Sequence, residues 1–162
     1  MAMTPQIRSA LRGFNEIILG GIPFLLKHNE TAFLSFMCSV AAIDALAAYR
    51  YATDKVGDRF VTFIKDYFPA PYAPHADNLY QLRCRLLHNF SPAHFTLVHA
   101  SPRRHLQGSA IGDTILSDDV FFADLRGAAQ TFFNEVQKDA GRQDAMNARL
   151  LNMKKGGAIY YE

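Results

Sequence analysis

Cysteine is scarce in this chain. Cys38 and Cys84 are the only two, and both lie in apolar stretches with helical spacing. They read as small core residues in a reducing compartment, not as a disulfide framework. No Cys/His spacing matches a zinc site, so no metal and no cofactor is expected. An excess of one charge is also lacking. Seventeen Lys and Arg against fifteen Asp and Glu leave a formal net charge of +2, which by itself names no partner. No basic stretch followed by an apolar run opens the chain, so no signal peptide is expected. No apolar run is read as reaching the roughly 18 residues of a membrane helix. The expected location is therefore cytoplasmic, with no membrane partner. Gly20-Gly21 lacks the strand and the Lys-Ser/Thr of a phosphate-cradling loop. There is no internal repeat and no low-complexity tract.

What remains is an ordinary globular balance. Of 162 residues, 49% are hydrophobic and 20% charged, which suits one domain with a sizeable core. Thr4-Pro5 starts a first helix along Ile7, Leu11, Phe14 and Ile18, and Gly20-Gly21-Ile22-Pro23 should break or kink it. A second helix from Asn29 or Thr31 to about Tyr51 is apolar on most sides and rich in small residues, as a central, closely packed helix is. Asp54 can cap a third, with Val56, Phe60, Phe63 and Ile64 on one face. The proline-rich segment 69–74 is a stiff connector.

The stretch 78–90 reads as one helix, stopped by Ser91-Pro92. On a wheel at roughly 100° per residue, Leu79, Leu82, Leu86 and Phe90 cluster on one side. Arg83 falls inside that apolar arc, and His88 lies about 140° away from it. A buried guanidinium needs an anion, and Asp44, in the middle of the second helix, is the best candidate. Either this is a core salt bridge holding two helices in register, or Asp44 also orients Arg83 for chemistry. Around this helix the charge is local. From His75 to His105, four arginines (83, 85, 103, 104) stand against one acid, Asp77, and five of the six histidines fall there. Such a segment suits an anion such as a phosphate backbone, and equally a solvated basic edge.

After Pro92 the pattern turns β-rich: a strand at 94–99, a turn at Ser101-Pro102, then short strands within 105–109 and 113–116. This is read as a small β-hairpin or three-stranded flap, with Arg103 and Arg104 near its turn. Ser117-Asp118-Asp119 caps a long helix to about Ala140, ended by Gly141, with Phe121, Leu125, Ala128, Phe132 and Val136 buried. A last helix covers about 143–153, followed by a tail with an apolar run at 158–161. The fold class is all-α in the main: an up-and-down bundle of four to five helices in one domain over 1–162. The β insert falls at about 94–116, and a C-terminal extension at about 143–162.

The run Leu79-Tyr80-Gln81-Leu82-Arg83-Cys84-Arg85-Leu86-Leu87-His88-Asn89-Phe90 resembles the Arg-(four to six residues)-His motif of the HEPN superfamily (higher eukaryotes and prokaryotes nucleotide-binding domains). The likeness extends to the order of the bundle and to prokaryotic toxin and phage-defence proteins of that superfamily. It implies metal-independent RNA cleavage, in which a 2′-hydroxyl attacks the adjacent phosphate. His88 would be the general base or acid and Arg83 would stabilise charge on the phosphate. Asn89 and Tyr80 would support the phosphate, with Asp44 behind Arg83. Arg85, Arg103 and Arg104 would bind RNA. The resemblance also implies a homodimer whose facing motif helices share one composite site, and leaves room for an antitoxin or regulator. Active members often carry a polar residue directly after the arginine, where this chain has Cys84. A second reading therefore stays open: a non-catalytic bundle of this type that binds RNA, nucleotide or a protein partner.

Overall fold

A computed structural model describes residues 3–153. The expected tail at 154–162 lies outside the described residues. Helix α1 (Pro5–Gly13) starts on Thr4, whose hydroxyl accepts the Ile7 N–H, and Pro5 occupies the first turn. It does not break at Gly20-Gly21. A π-helical segment, Phe14–Leu19, carries the chain directly into α2 (Gly20–Leu25), with Pro23 inside the helix. The wider π turn holds one extra residue, which rotates the buried face by one position. Ile7, Leu11 and Phe14 are buried as expected, but Leu19 and Ile22 then take over, and Ile18 turns outward.

The centre of the bundle is α3 (Ala32–Arg50), preceded by a single 3-10 turn at Asn29–Thr31. It packs against α2, α4 (Val56–Tyr67), α5 (Ala76–Asn89), α6 (Asp118–Lys138) and α7 (Ala140–Met153). With neighbours on so many sides, it buries Phe36, Val40, Ile43, Leu46 and Ala47 around most of its circumference. Asn29–Arg50 is, by length and composition, apolar enough to cross a membrane, contrary to the reading of the sequence. Central helices of bundles have the same composition, because apolar neighbours replace solvent on nearly every face. Its small residues do not all serve close packing. Ala41, Ala45 and the exposed Cys38 floor an apolar groove of about 770 Å³ against α1 and α2. Cys38 is thus not a core residue, and Cys84 is only partly buried.

Asp54 does not cap α4. Its carboxylate reaches Arg149 at 3.0 Å on the surface, and the N-cap position falls on Lys55, with no side-chain cap. The proline segment folds as a 3-10 helix, Ala70–His75, which buries Tyr72 and leads into α5. Helix α5 ends at Asn89. The N–H groups of Phe90 and Ser91 both turn back to the Arg85 carbonyl, and Phe90 adopts a left-handed conformation (φ 53°). That turn swings Phe90 out of the apolar arc, leaving it 67% exposed, whereas Leu79, Leu82 and Leu86 are buried.

The β insert is present but is not a hairpin. Strand β1 (Phe95–Val98) pairs in parallel with β2 (Thr114–Ser117), Phe95 opposite Thr114. The chain between them folds back on β2. The Leu106 N–H bonds to the Ile115 carbonyl and the Ile115 N–H to the Gln107 carbonyl, so 105–109 supplies antiparallel contacts without becoming a strand. Ser117 precedes α6, but its hydroxyl does not cap it. The Asp118 and Asp119 carboxylates accept the N–H groups of Asp119 and Val120. Phe121, Leu125, Ala128, Phe132 and Val136 are all buried. Helix α6 stops at Lys138, three residues before Gly141, which lies inside α7; the chain turns at Asp139.

The π segment gives a test of register. Leu19→Ala should destabilise the protein by about 2–3 kcal/mol, whereas Ile18→Ala should cost less than about 1 kcal/mol. Urea unfolding of the two variants measures this, and the opposite order would mean a plain α-helical register through 14–19.

Candidate functional site

Three charged side chains from three helices meet beneath the motif. Arg83 of α5 donates through Nη2 to Asp44 Oδ2 at 2.6 Å, and Arg59 of α4 donates through Nη2 to Asp44 Oδ1 at 3.3 Å. The side chains are 20% (Arg83), 17% (Asp44) and 8% (Arg59) exposed. Arg83 thus sits where its place in the apolar arc puts it, and its anion is Asp44. Burial alone would lower the Arg83 pKa, but the hydrogen bond and charge of Asp44 outweigh it and the net shift is upward. Two guanidiniums share one carboxylate, so the cluster carries a surplus positive charge. The Nε atoms of both arginines are buried without a hydrogen-bond partner.

Arg59 is the member that the sequence reading passes over. Its signal is its spacing: three residues after Val56 and four before Phe63, it falls within the apolar face of α4. Tyr80, one turn before Arg83, packs its ring against Phe60 and over Gly57, where an added Cβ would stand 3.0 Å from the ring. Its hydroxyl pKa is raised, first by a hydrogen bond with the Cys84 thiol and then by burial.

His88 and Asn89 end the same helix and are exposed. Among the described residues no hydrogen bond joins His88 to Arg83. Arg85, Arg103 and Arg104 are also exposed, and among the described residues none has an ion-pair partner. The structure thus brings together Asp44, Arg83 and Tyr80, with Arg59, and leaves His88, Asn89 and Arg85 on the surface at the C-terminal end of α5. Among the described residues no three His, Cys, Asp or Glu side chains converge as a metal site requires.

Arg103 and Arg104 lie on a 3-10 turn, Pro102–Arg104, next to a part-buried polar relay. The Ser117 N–H donates to His105 Nδ1 at 3.0 Å, which places the His105 proton on Nε2. That nitrogen lies 2.7 Å from the Tyr72 hydroxyl, which donates in turn to Asp124 Oδ2 at 2.7 Å. Burial is the main cause of a lowered His105 pKa, while burial and then the Asp124 hydrogen bond raise that of Tyr72. The relay ties the β insert to the 3-10 helix before α5 and to α6.

Comparison with protein-family models, with curated proteins and with solved structures finds no match.

Two outcomes follow. Asp44→Ala removes the one carboxylate between two largely buried guanidiniums, and should cost about 3–5 kcal/mol in chemical denaturation. A cost near zero would mean that water already compensates both arginines. His105 is held neutral in the fold, so its contribution is complete above the unfolded value of about 6.5 and is lost as pH falls from there through its lowered native value. Melting temperature measured from pH 7.5 to 5 should therefore fall more steeply for the parent than for His105→Asn. Equal slopes would remove His105 from the acid response.

Proposed function

We propose that this chain is a metal-independent endoribonuclease of HEPN type, active as a homodimer whose two motif helices share one site. The observation that carries the reading is the contrast at the two ends of the motif. Arg83 is braced from below by Asp44 in a cluster with surplus positive charge, and His88 is exposed at the end of the same helix, with no hydrogen bond or ion pair among the described residues. A braced guanidinium suits a phosphate whose charge grows in the transition state. An exposed imidazole suits proton transfer near neutrality.

One copy does not place the two groups on one face, because five helical steps separate them by about 140°. A second copy facing the first across the α5 helices supplies the missing partner. In the composite site one His88 accepts the proton of the attacking 2′-hydroxyl. The other donates a proton to the leaving 5′ oxygen, and Arg83 holds the phosphate between them. Products are a 2′,3′-cyclic phosphate and a 5′-hydroxyl. Asn89 and Tyr80 line the approach, and Arg85, Arg103 and Arg104 contact the RNA backbone. RNA as the substrate goes with a cytoplasmic location and with a toxin or phage-defence role held in check by a protein partner.

A second reading has its own observation. Arg83 is four-fifths buried on Asp44 with Cys84 beside it, which suits a bundle that binds RNA, nucleotide or a protein and uses the arginine structurally.

Purified protein incubated with an RNA pool in EDTA decides between the two. The parent should cleave, and a folded, dimeric His88→Ala variant should lose at least about a hundredfold in rate, the usual scale of an acid–base group. Cleavage that survives in the variant removes His88 from the site, and RNA binding by the parent without cleavage selects the second reading.

A further inference from the structure

The second preorganised histidine lies away from the motif, at the far end of β1. His99 Nδ1 is 2.7 Å from Asp118 Oδ2, and the Asp118 side chain is fully buried. Asp118 Oδ1 also accepts two backbone N–H groups, from Ala100 at 2.9 Å and Asp119 at 2.8 Å. Those donors favour the ionised carboxylate, so His99 Nδ1 carries a proton and donates it. His99 Nε2 makes no hydrogen bond among the described residues, and the side chain is 22% exposed. Ala100 takes a left-handed conformation (φ 45°) as it gives its N–H to the same carboxylate. One buried acid therefore orients the imidazole and holds the strained turn that follows it.

That turn leads directly to two arginines. The Ser101 N–H is held by Ser117 Oγ at 2.8 Å, and Arg103 and Arg104 then occupy the 3-10 turn, exposed. An imidazole with Nδ1 held on a carboxylate, once protonated, presents Nε2–H outward as a cationic donor. With two exposed guanidiniums within the next five residues, the chemistry matches a phosphodiester. We propose that His99, positioned by Asp118, joins Arg103 and Arg104 in contacting the phosphates of single-stranded RNA, as a subsite outside the Arg83–His88 motif itself. The inference rests on the reading of RNA as ligand, and it does not depend on cleavage.

The test uses a single-stranded oligonucleotide with every 2′-hydroxyl methylated, so that binding is read without turnover. Fluorescence anisotropy at pH 6 over a range of salt gives the slope of log affinity against log salt, about 0.7 per phosphate neutralised on a single strand. The melting temperature of His99→Gln checks the fold. The expected result is a slope shallower by about 0.7 in His99→Gln and in Arg104→Gln, each with a parental melting temperature. An unchanged slope in His99→Gln, or no binding by the parent, overturns the proposal. Cleavage of ordinary RNA by the parent and not by His88→Ala, beside an unchanged His99→Gln slope, would keep the ribonuclease reading and discard this one.

Discussion

Asp44 is the constraint on which the arrangement of the three inner helices depends. A carboxylate in the most apolar helix of the chain is costly unless it is paired. It is paired twice, with one oxygen for Arg59 of α4 and the other for Arg83 of α5. Hydrophobic burial brings α3, α4 and α5 together but leaves their sliding and rotation weakly specified. A shared ion pair admits only one register, because a shift of one residue would strand a buried charge. The same contact aims Arg83, so the device that aligns the core also prepares the candidate site. Whether evolution retains the cluster for register, for chemistry or for both, the geometry is the same.

A second polar framework governs the β insert. Two strands of four residues are too short to be stable alone, and these are parallel, which needs a crossover connection. Their support comes from buried and half-buried polar groups: the Ser117–His105–Tyr72–Asp124 relay and the Asp118–His99 pair. Both draw on the start of α6. The insert is thus fixed to the bundle by hydrogen bonds between buried and half-buried groups, and the buried ones are costly to leave unpaired. This explains how a segment with left-handed residues at Phe90, Ala93, Ala100 and Leu106 holds one conformation. It also explains how exposed arginines come to sit on a rigid platform.

The groove between the first helix and α3 follows from the π segment. By rotating the buried face from Ile18 to Leu19, the extra residue leaves Ile17 and Ile18 partly exposed at its rim. The small residues of α3 form its floor.

Much of this was legible in the sequence, and for local reasons. Apolar spacing identified the helices, and the acids at 118–119 marked the start of α6, whereas α5 ends at Asn89 on a left-handed Phe90, one residue before the stop read from Ser91-Pro92. The place of Arg83 in an apolar arc and of Asp44 in an apolar helix indicated a pair, since neither charge is stable there alone. Tertiary structure decided what local pattern leaves degenerate. Arg59 completes the cluster because α4 packs beside both helices, although its spacing alone fits a solvated edge of the face as well. Parallel pairing of β1 and β2 is set by the path of the intervening chain, not by the residues of either strand. Likewise the union of His99 with Asp118 joins residues 19 positions apart, and only the folded chain brings that carboxylate to that imidazole. Periodicity along one segment fixes which side faces inward, whereas the identity of what it meets depends on every other segment at once.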